Sequence, residues 1–352
     1  MGVESLRTMR RSTPTLALPP PGGGNDPVKK LKAAVIGAGY LGRFHAEKYA
    51  ALPEVELVAV VDVDEGRAVA LASMHGARGA RDFRELLGEV QIASVVVPID
   101  AHFPIACALL GSGVHVLVEK PMAASLAEAD HMIELARRGG LVLQIGHLER
   151  FNPALLALEG VLNQPLFIES HRIAAFGPRG LEVSVVLDLM IHDIDIILNI
   201  VKSPVTAIRP TGLPVLSGEV DIAYARLEFA SGCVANVTAS RVGREPLRKV
   251  RVFQRDGYVS IDYLCRRVTV CRREGGPEGF RIATEELAFE RQDALLMEIR
   301  AFVQAVREGT PAAVTGEEGR AALAVALAIS EAIRDQEAAF RARGVFVPEN
   351  PV

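Results

Sequence analysis

Ala33-Ala34-Val35-Ile36-Gly37-Ala38-Gly39-Tyr40-Leu41-Gly42 reads as a short buried strand that runs directly into a glycine turn of the form GxGxxG. The segment after it, Arg43 to Ala51, suits a helix. In such a strand–turn–helix unit Gly37 permits the tight turn, Gly39 lets backbone approach a pyrophosphate, and Gly42 allows close helix–strand packing. The amides of the first helical turn then face the phosphates. Moving outward, the next apolar run, Leu57 to Val61, ends at Asp62, which is 62 − 42 = 20 residues past the last glycine. A carboxylate there accepts from adenosine ribose hydroxyls and repels a 2′-phosphate, so NAD is expected rather than NADP. Arg67 works against that preference, because an arginine nearby can accommodate the phosphate.

Further apolar runs of strand length follow at Ala93 to Val97, Val114 to Val118 and Leu141 to Ile145, each separated by a helix-like segment. Short, nearly continuous hydrophobic runs are what strands covered on both faces require, so residues 30–149 are expected to form an α/β Rossmann domain with a doubly wound parallel sheet. Beyond residue 150 the texture changes. Ser231-Gly232 and Asp256-Gly257 stand between strand candidates as hairpin turns, so residues 150–352 are expected to form an α+β domain with a large, mostly antiparallel open sheet. Helical patterns at Asp293 to Arg307 and Glu317 to Gln336 close the chain.

The 352 residues are 49% hydrophobic and 23% charged, ample apolar surface for two cores. A net charge of -4 lacks the basic footprint that nucleic acid needs, and no apolar run is long enough to span a membrane. Cys107, Cys233, Cys265 and Cys271 form neither a zinc-type pair nor a disulfide framework, which points to a reducing cytoplasm and no metal. Residues 1–29, rich in Pro, Gly, Ser and Thr, read as a disordered tail; Leu16-Ala17-Leu18 is too short for the apolar core of a signal peptide.

Two clusters carry candidate chemistry. In Glu119-Lys120-Pro121, Lys120 follows a strand and so stands on the sheet edge where open α/β sheets bind ligands. In Asp188-Leu189-Met190-Ile191-His192-Asp193-Ile194-Asp195, the residues Asp188, His192 and Asp195 share one face of an otherwise apolar helix. Polar groups in such a helix are costly unless used. One Asp–His pair supplies too few ligands for a metal.

With the glycine turn, Glu119-Lys120-Pro121 and Asp188 with His192 in this order, the chain resembles the Gfo/Idh/MocA oxidoreductase family. The resemblance implies a sugar or polyol substrate, a homodimer or homotetramer, and a catalytic group of Lys120, Asp188 and His192. It places Tyr40, Leu41, Glu119 and Lys120 beside Gly37, Gly39, Gly42 and Asp62 as cofactor contacts; Pro98 and His102 are further candidates in the loop after the third strand, where Pro98-Ile99 departs from the Thr or Asn that the family often has and His102 has a structural reading as well. Gly146-His147-Leu148-Glu149-Arg150-Phe151-Asn152-Pro153 adds a narrower resemblance, to the branch that oxidises UDP-N-acetylglucosamine at C3 and so serves 3-amino-sugar synthesis for lipid A or surface polysaccharide. On that reading Arg150, Asn152, Arg172, Arg179 and His192 contact the substrate, the arginines pairing with a diphosphate. The alternatives are an inositol or free-sugar dehydrogenase and a non-catalytic NAD-binding regulator.

Overall fold

The computed structural model describes residues 7–8, 29–158, 160–177, 183–276, 279–290 and 292–343. The chain divides into two compact units: Pro19–Phe151 with Asp293–Leu323, and Met1–Leu18 with Asn152–Gln292 and Ala324–Val352. Within the expected tail, a two-residue strand β1 (Arg7–Thr8) pairs in parallel with Glu285 and Glu286. The rest of residues 1–28 lies outside the described residues.

The unit that carries the glycine turn alternates strand and helix: β2 (Leu31–Ile36), α1 (Tyr40–Ala51), β3 (Val55–Val61), α2 (Glu65–Ser73), β4 (Arg78–Ala80), β5 (Ile92–Val95), α3 (Ile99–Gly111), β6 (His115–Glu119), α4 (Leu126–Gly139) and β7 (Leu143–Gly146). The strands form one parallel sheet in the order β4-β3-β2-β5-β6-β7. The order reverses direction at β2. Right-handed crossovers therefore put α1 and α2 on one face and α3 and α4 on the other, and the strands' carboxyl ends open a crevice at the reversal. Buried Val35, Val60, Ile92 and Leu117 of the sheet pack with Ala46 and Tyr49 of α1 in one core. Strand β4 escapes the sequence reading because Arg78-Gly79-Ala80 is short and barely apolar.

In the other unit, the short helix α5 (Pro153–Leu156) precedes β8 (Pro165–Ala175), α6 (Ile191–Val201), β9 (Val205–Leu213), β10 (Ile222–Phe229), β11 (Val234–Gly243), β12 (Leu247–Gln254), β13 (Gly257–Asp262), β14 (Arg267–Gly276) and β15 (Gly279–Ala288). The sheet runs β1-β15-β14-β13-β12-β8-β11-β10-β9 and is antiparallel except at the β1/β15 and β8/β11 pairs. Both hairpin turns sit where the sequence puts them: Gly232, at φ 85°, follows β10, and Asp256 joins β12 to β13. Strand β10 alternates half-buried and buried positions, Ala223, Ala225, Leu227 and Phe229 pointing inward, as a sheet covered on one face demands.

The break between the units falls after Phe151, and residues 293–323 are grouped with the unit that carries the glycine turn. Helix α7 (Ala294–Glu308) returns to the first unit, where Ile299, Phe302 and Val303, spaced i, i+3 and i+4, join the core of Ala46 and Tyr49. Asp293 fastens it there, capping Leu296 N at 3.0 Å and pairing with Lys48 of α1 at 2.8 Å. Helix α8 (Gly316–Ala342) starts in the same unit, its Gly319 lying so close to Ile145 that a Cβ would overlap that side chain. Among the described residues no helix is long and apolar enough to cross a membrane.

Candidate active site

The glycine turn closes the carboxyl end of β2. Gly37 has φ 109°, and a Cβ there would run into the carbonyl of Val96. A Cβ on Gly42 would strike the carbonyl of Gly37, so this glycine serves the approach of α1 to the turn itself more than to the strand. Gly39 differs: among the described residues, its chain neighbours aside, no atom lies within 4 Å of its Cβ position. Among the described residues nothing demands a glycine there, whereas a dinucleotide lying against the backbone would. A shallow groove of about 320 Å³ begins at Ala38, Gly39 and Tyr40 and is walled by Arg43, Arg67 and Leu71. Tyr40 and Leu41 are both exposed beside it. Another cavity of similar volume, lined by His115, Arg137 and Thr315, lies toward the amino end of β6 and holds none of the candidate residues.

Asp62 locks this turn. One carboxylate oxygen accepts from Ala38 N at 2.8 Å, and the other accepts from Asp64 N at 2.9 Å and from Arg67 Nη2 at 3.1 Å. Arg67 is thus paired with the carboxylate, which offsets its pull toward a 2′-phosphate. The open cradle at Gly39 and the carboxylate at the end of β3 fit an NAD dinucleotide. Replacing Asp62 by Ala is expected to raise KM for NAD by roughly tenfold or more, what a lost charged hydrogen bond is worth, and to narrow the preference over NADP. Initial rates with each cofactor check this.

Lys120 follows β6 directly, on the carboxyl edge of the sheet, and its amide donates to Glu119 Oε2 at 3.3 Å. The other oxygen of Glu119 is 3.1 Å from Nε2 of fully buried His45, on α1. Burial pushes the Glu119 carboxyl up. The His45 hydrogen bond and charge, the Lys120 charge and the Lys120 amide outweigh it, and the group is held below the ordinary carboxylate range. A Cβ on Gly146 would sit 3.0 Å from the Glu119 carboxyl carbon, so β7 leaves Glu119 its place by lacking a side chain there.

In the other unit Asp188 lies in a turn of π-helix, Val186–Met190, that runs into α6 and His192. The sequence reading assumed an unbroken α-helix; the wider turn rotates Asp188 relative to His192, and such insertions recur at functional sites. Both side chains are half-buried, between the exposed and core positions of the segment. The segment's start is tied down by Arg241, which donates to the carbonyls of Val220 and Val183 and pairs with fully buried Asp221 at 3.2 Å.

Several expected contact residues have partners within the protein. Arg172, an expected diphosphate contact, is buried and forks onto Asp193 at 2.7 and 3.2 Å, an ion pair that fixes α6 against β8. His102 takes the structural place the sequence offers it: its ring nitrogens stand 2.9 Å from the carbonyls of Pro121 and Val97, against the loop that carries Lys120. Burial outweighs those two carbonyls and holds its pKa below the usual histidine value. Pro98 is exposed at the start of α3. Asn152 caps α5 by accepting from Ala154 N at 3.1 Å, and Arg150 pairs with Glu318 at 3.2 Å. Arg179 lies outside the described residues. The sequence reading missed His45, Asp193 and Glu298; a carboxylate inside Leu295-Leu296-Met297-Glu298-Ile299 was the available signal.

The family model described as "Oxidoreductase family, NAD-binding Rossmann fold" matches residues 31–147, and the GFO/IDH/MocA C-terminal domain matches residues 159–260. The chain belongs to the GFO/IDH/MocA oxidoreductase family. It is 37% identical over 306 residues to the UDP-N-acetylglucosamine 3-dehydrogenase of Acidithiobacillus ferrooxidans, covering 86% of this chain and 97% of that protein. A solved structure of that dehydrogenase superposes with a TM-score of 0.80 at 36% identity, over 87% of this chain and 98% of the other. The myo-inositol 2-dehydrogenase of Thermotoga maritima is 28% identical over 327 residues, covering 87% and 97%. As a GFO/IDH/MocA member the chain is an NAD-dependent oxidoreductase acting on CH–OH groups of sugars.

Proposed function

We propose that this enzyme oxidises the C3 hydroxyl of UDP-N-acetylglucosamine, producing the 3-keto nucleotide sugar and NADH. The observation that carries the reading is the 37% identity to a UDP-N-acetylglucosamine 3-dehydrogenase across nearly the whole of both chains, against 28% for an inositol dehydrogenase. Lys120, Asp188 and His192 are the residues we assign to the reaction. His192 takes the hydroxyl proton as the C3–H bond breaks. Lys120 donates to the same oxygen and stabilises the charge that develops there. Asp188 favours the imidazolium that His192 becomes. NAD, held by the Gly37–Gly42 turn and Asp62, supplies the hydride acceptor.

Arg179, Arg150 and Asn152 are our candidates for the diphosphate and sugar. The ketone produced suits transamination by a separate aminotransferase to a 3-amino sugar for lipid A or surface polysaccharide, and the dehydrogenase acts in the cytoplasm as a homodimer or homotetramer. The test is incubation of the purified protein with NAD and, separately, UDP-N-acetylglucosamine, other UDP-sugars, free sugars and inositols, following NADH absorbance and a 3-keto product. Turnover of UDP-N-acetylglucosamine above all others is expected. Turnover of inositol without any nucleotide sugar would overturn the assignment.

A further inference from the structure

The turn that enters α2 carries a second carboxylate that the cofactor reading leaves unused. In Asp62-Val63-Asp64-Glu65-Gly66-Arg67, two aspartates close on one arginine. Asp64 is the N-cap of α2, its Oδ1 accepting from the Arg67 amide at 3.1 Å. Its other oxygen, Oδ2, lies 3.1 Å from Nε of the same arginine. The tip of that guanidinium, Nη2, donates to Asp62 Oδ1, also at 3.1 Å. Asp64 thus holds Arg67 by its backbone and by the root of its guanidinium, and Asp62 holds the tip.

Nε and Nη2 form one edge of the planar guanidinium, the kind of edge that grips two oxygens of a single phosphate. Here two different aspartates occupy it. The Arg67 side chain is nevertheless 56% exposed, and it walls the groove that begins at Gly39. An ion pair so open to water is weak, so a small change suffices to release the arginine. The other cation of the groove, Arg43, is engaged elsewhere: its guanidinium carbon stands 4.7 Å from the centre of the Phe44 ring and 5.7 Å from that of Tyr40. Asp62, Asp64 and Arg67 together leave one negative charge in excess where the dinucleotide's adenosine ribose is expected. A 2′-phosphate is therefore opposed twice, by that charge and by the restraint on the arginine that would receive it.

We propose that Asp64 is a specificity-determining residue for the cofactor and acts through Arg67: it pins the guanidinium against Asp62 and so denies a 2′-phosphate its cation. Without the Asp64 carboxylate, Arg67 keeps one charged partner, and a phosphate on the ribose competes with Asp62 for the Nε–Nη2 edge. This rests on the reading of Asp62 as the carboxylate that meets the ribose.

The test is titration calorimetry of the full chain with NAD and with NADP, for wild type, D64S, D64S/R67A and D62A, with thermal unfolding alongside. Serine caps helices about as well as aspartate, so D64S keeps the start of α2 while removing the charge and the reach to Nε. Its melting temperature should stay close to that of wild type. D64S is expected to lower the ratio of the NADP Kd to the NAD Kd about tenfold, by tightening NADP, as one new charged hydrogen bond does. The gain should shrink as salt rises, because it is an interaction between exposed charges. In D64S/R67A it should disappear, since the released guanidinium is its source. An unchanged ratio in D64S overturns the proposal. So does a gain that survives in D64S/R67A, which would come from the lost negative charge alone. NAD affinity untouched in D62A removes instead the reading of Asp62 beneath it.

Discussion

Lys120→Met should reduce kcat with UDP-N-acetylglucosamine by about 10²- to 10³-fold, the usual consequence of removing one donor aimed at a developing oxyanion. Methionine keeps the length and apolar stem of lysine and removes only the ammonium, so the sheet edge and the braces around it, His102 on the Pro121 carbonyl and His45 on Glu119, are left in place. Binding of NAD depends on the Gly37–Gly42 turn and Asp62 and is expected to survive. The chain contains no tryptophan, so titration calorimetry rather than protein fluorescence is the direct way to show it. An interaction made only in the transition state lowers kcat and kcat/KM together. A rise in KM with kcat intact would assign Lys120 to substrate binding instead.

His192→Ala should cost about 10²- to 10⁴-fold in kcat, the span associated with loss of a general base. A base must be unprotonated to act, so the wild-type rate falls toward acid pH; the variant should lose that dependence. Added imidazole should restore part of the rate, because the substitution opens space at a half-buried position and leaves the proton acceptor as the missing component. Calorimetry with NAD should again be unchanged. Retention of full activity in this variant, measured beside Lys120→Met, would discard the assignment of proton removal to His192.

The fold was legible wherever local chemistry decides structure. Ala33 to Ile36, Leu57 to Val61 and Val114 to Val118 announce strands buried on both faces, and Ser231-Gly232 and Asp256-Gly257 announce hairpins, because strand burial and turn geometry are read from a few neighbouring residues. What escaped depends on contacts far apart in sequence. The periodicity of Ile299, Phe302 and Val303 says that α7 has an apolar face, and nothing in it says that Tyr49 and Ala46 cover that face. Arg172 looked like an exposed cation because its partner Asp193 is 193 − 172 = 21 residues away. The π-helical turn at Asp188 likewise leaves no mark in residue pattern.

The candidate site divides in the same way. Gly37, Gly39, Gly42 and Asp62 were readable because spacing along one strand–turn–helix unit fixes their positions, and Lys120 because it follows a recognisable strand. His45 was not, since its meaning lies in what it faces: α1 brings His45 onto Glu119.

The claim that organises the whole account is hydride transfer from C3 of a nucleotide sugar to NAD, and the most direct measurement uses UDP-N-acetylglucosamine carrying deuterium at C3. The account expects the label to appear in the reduced nicotinamide, seen by mass spectrometry, with a slowed rate relative to the unlabelled sugar. NADH formed without deuterium, or label retained in an unaltered sugar, would contradict it.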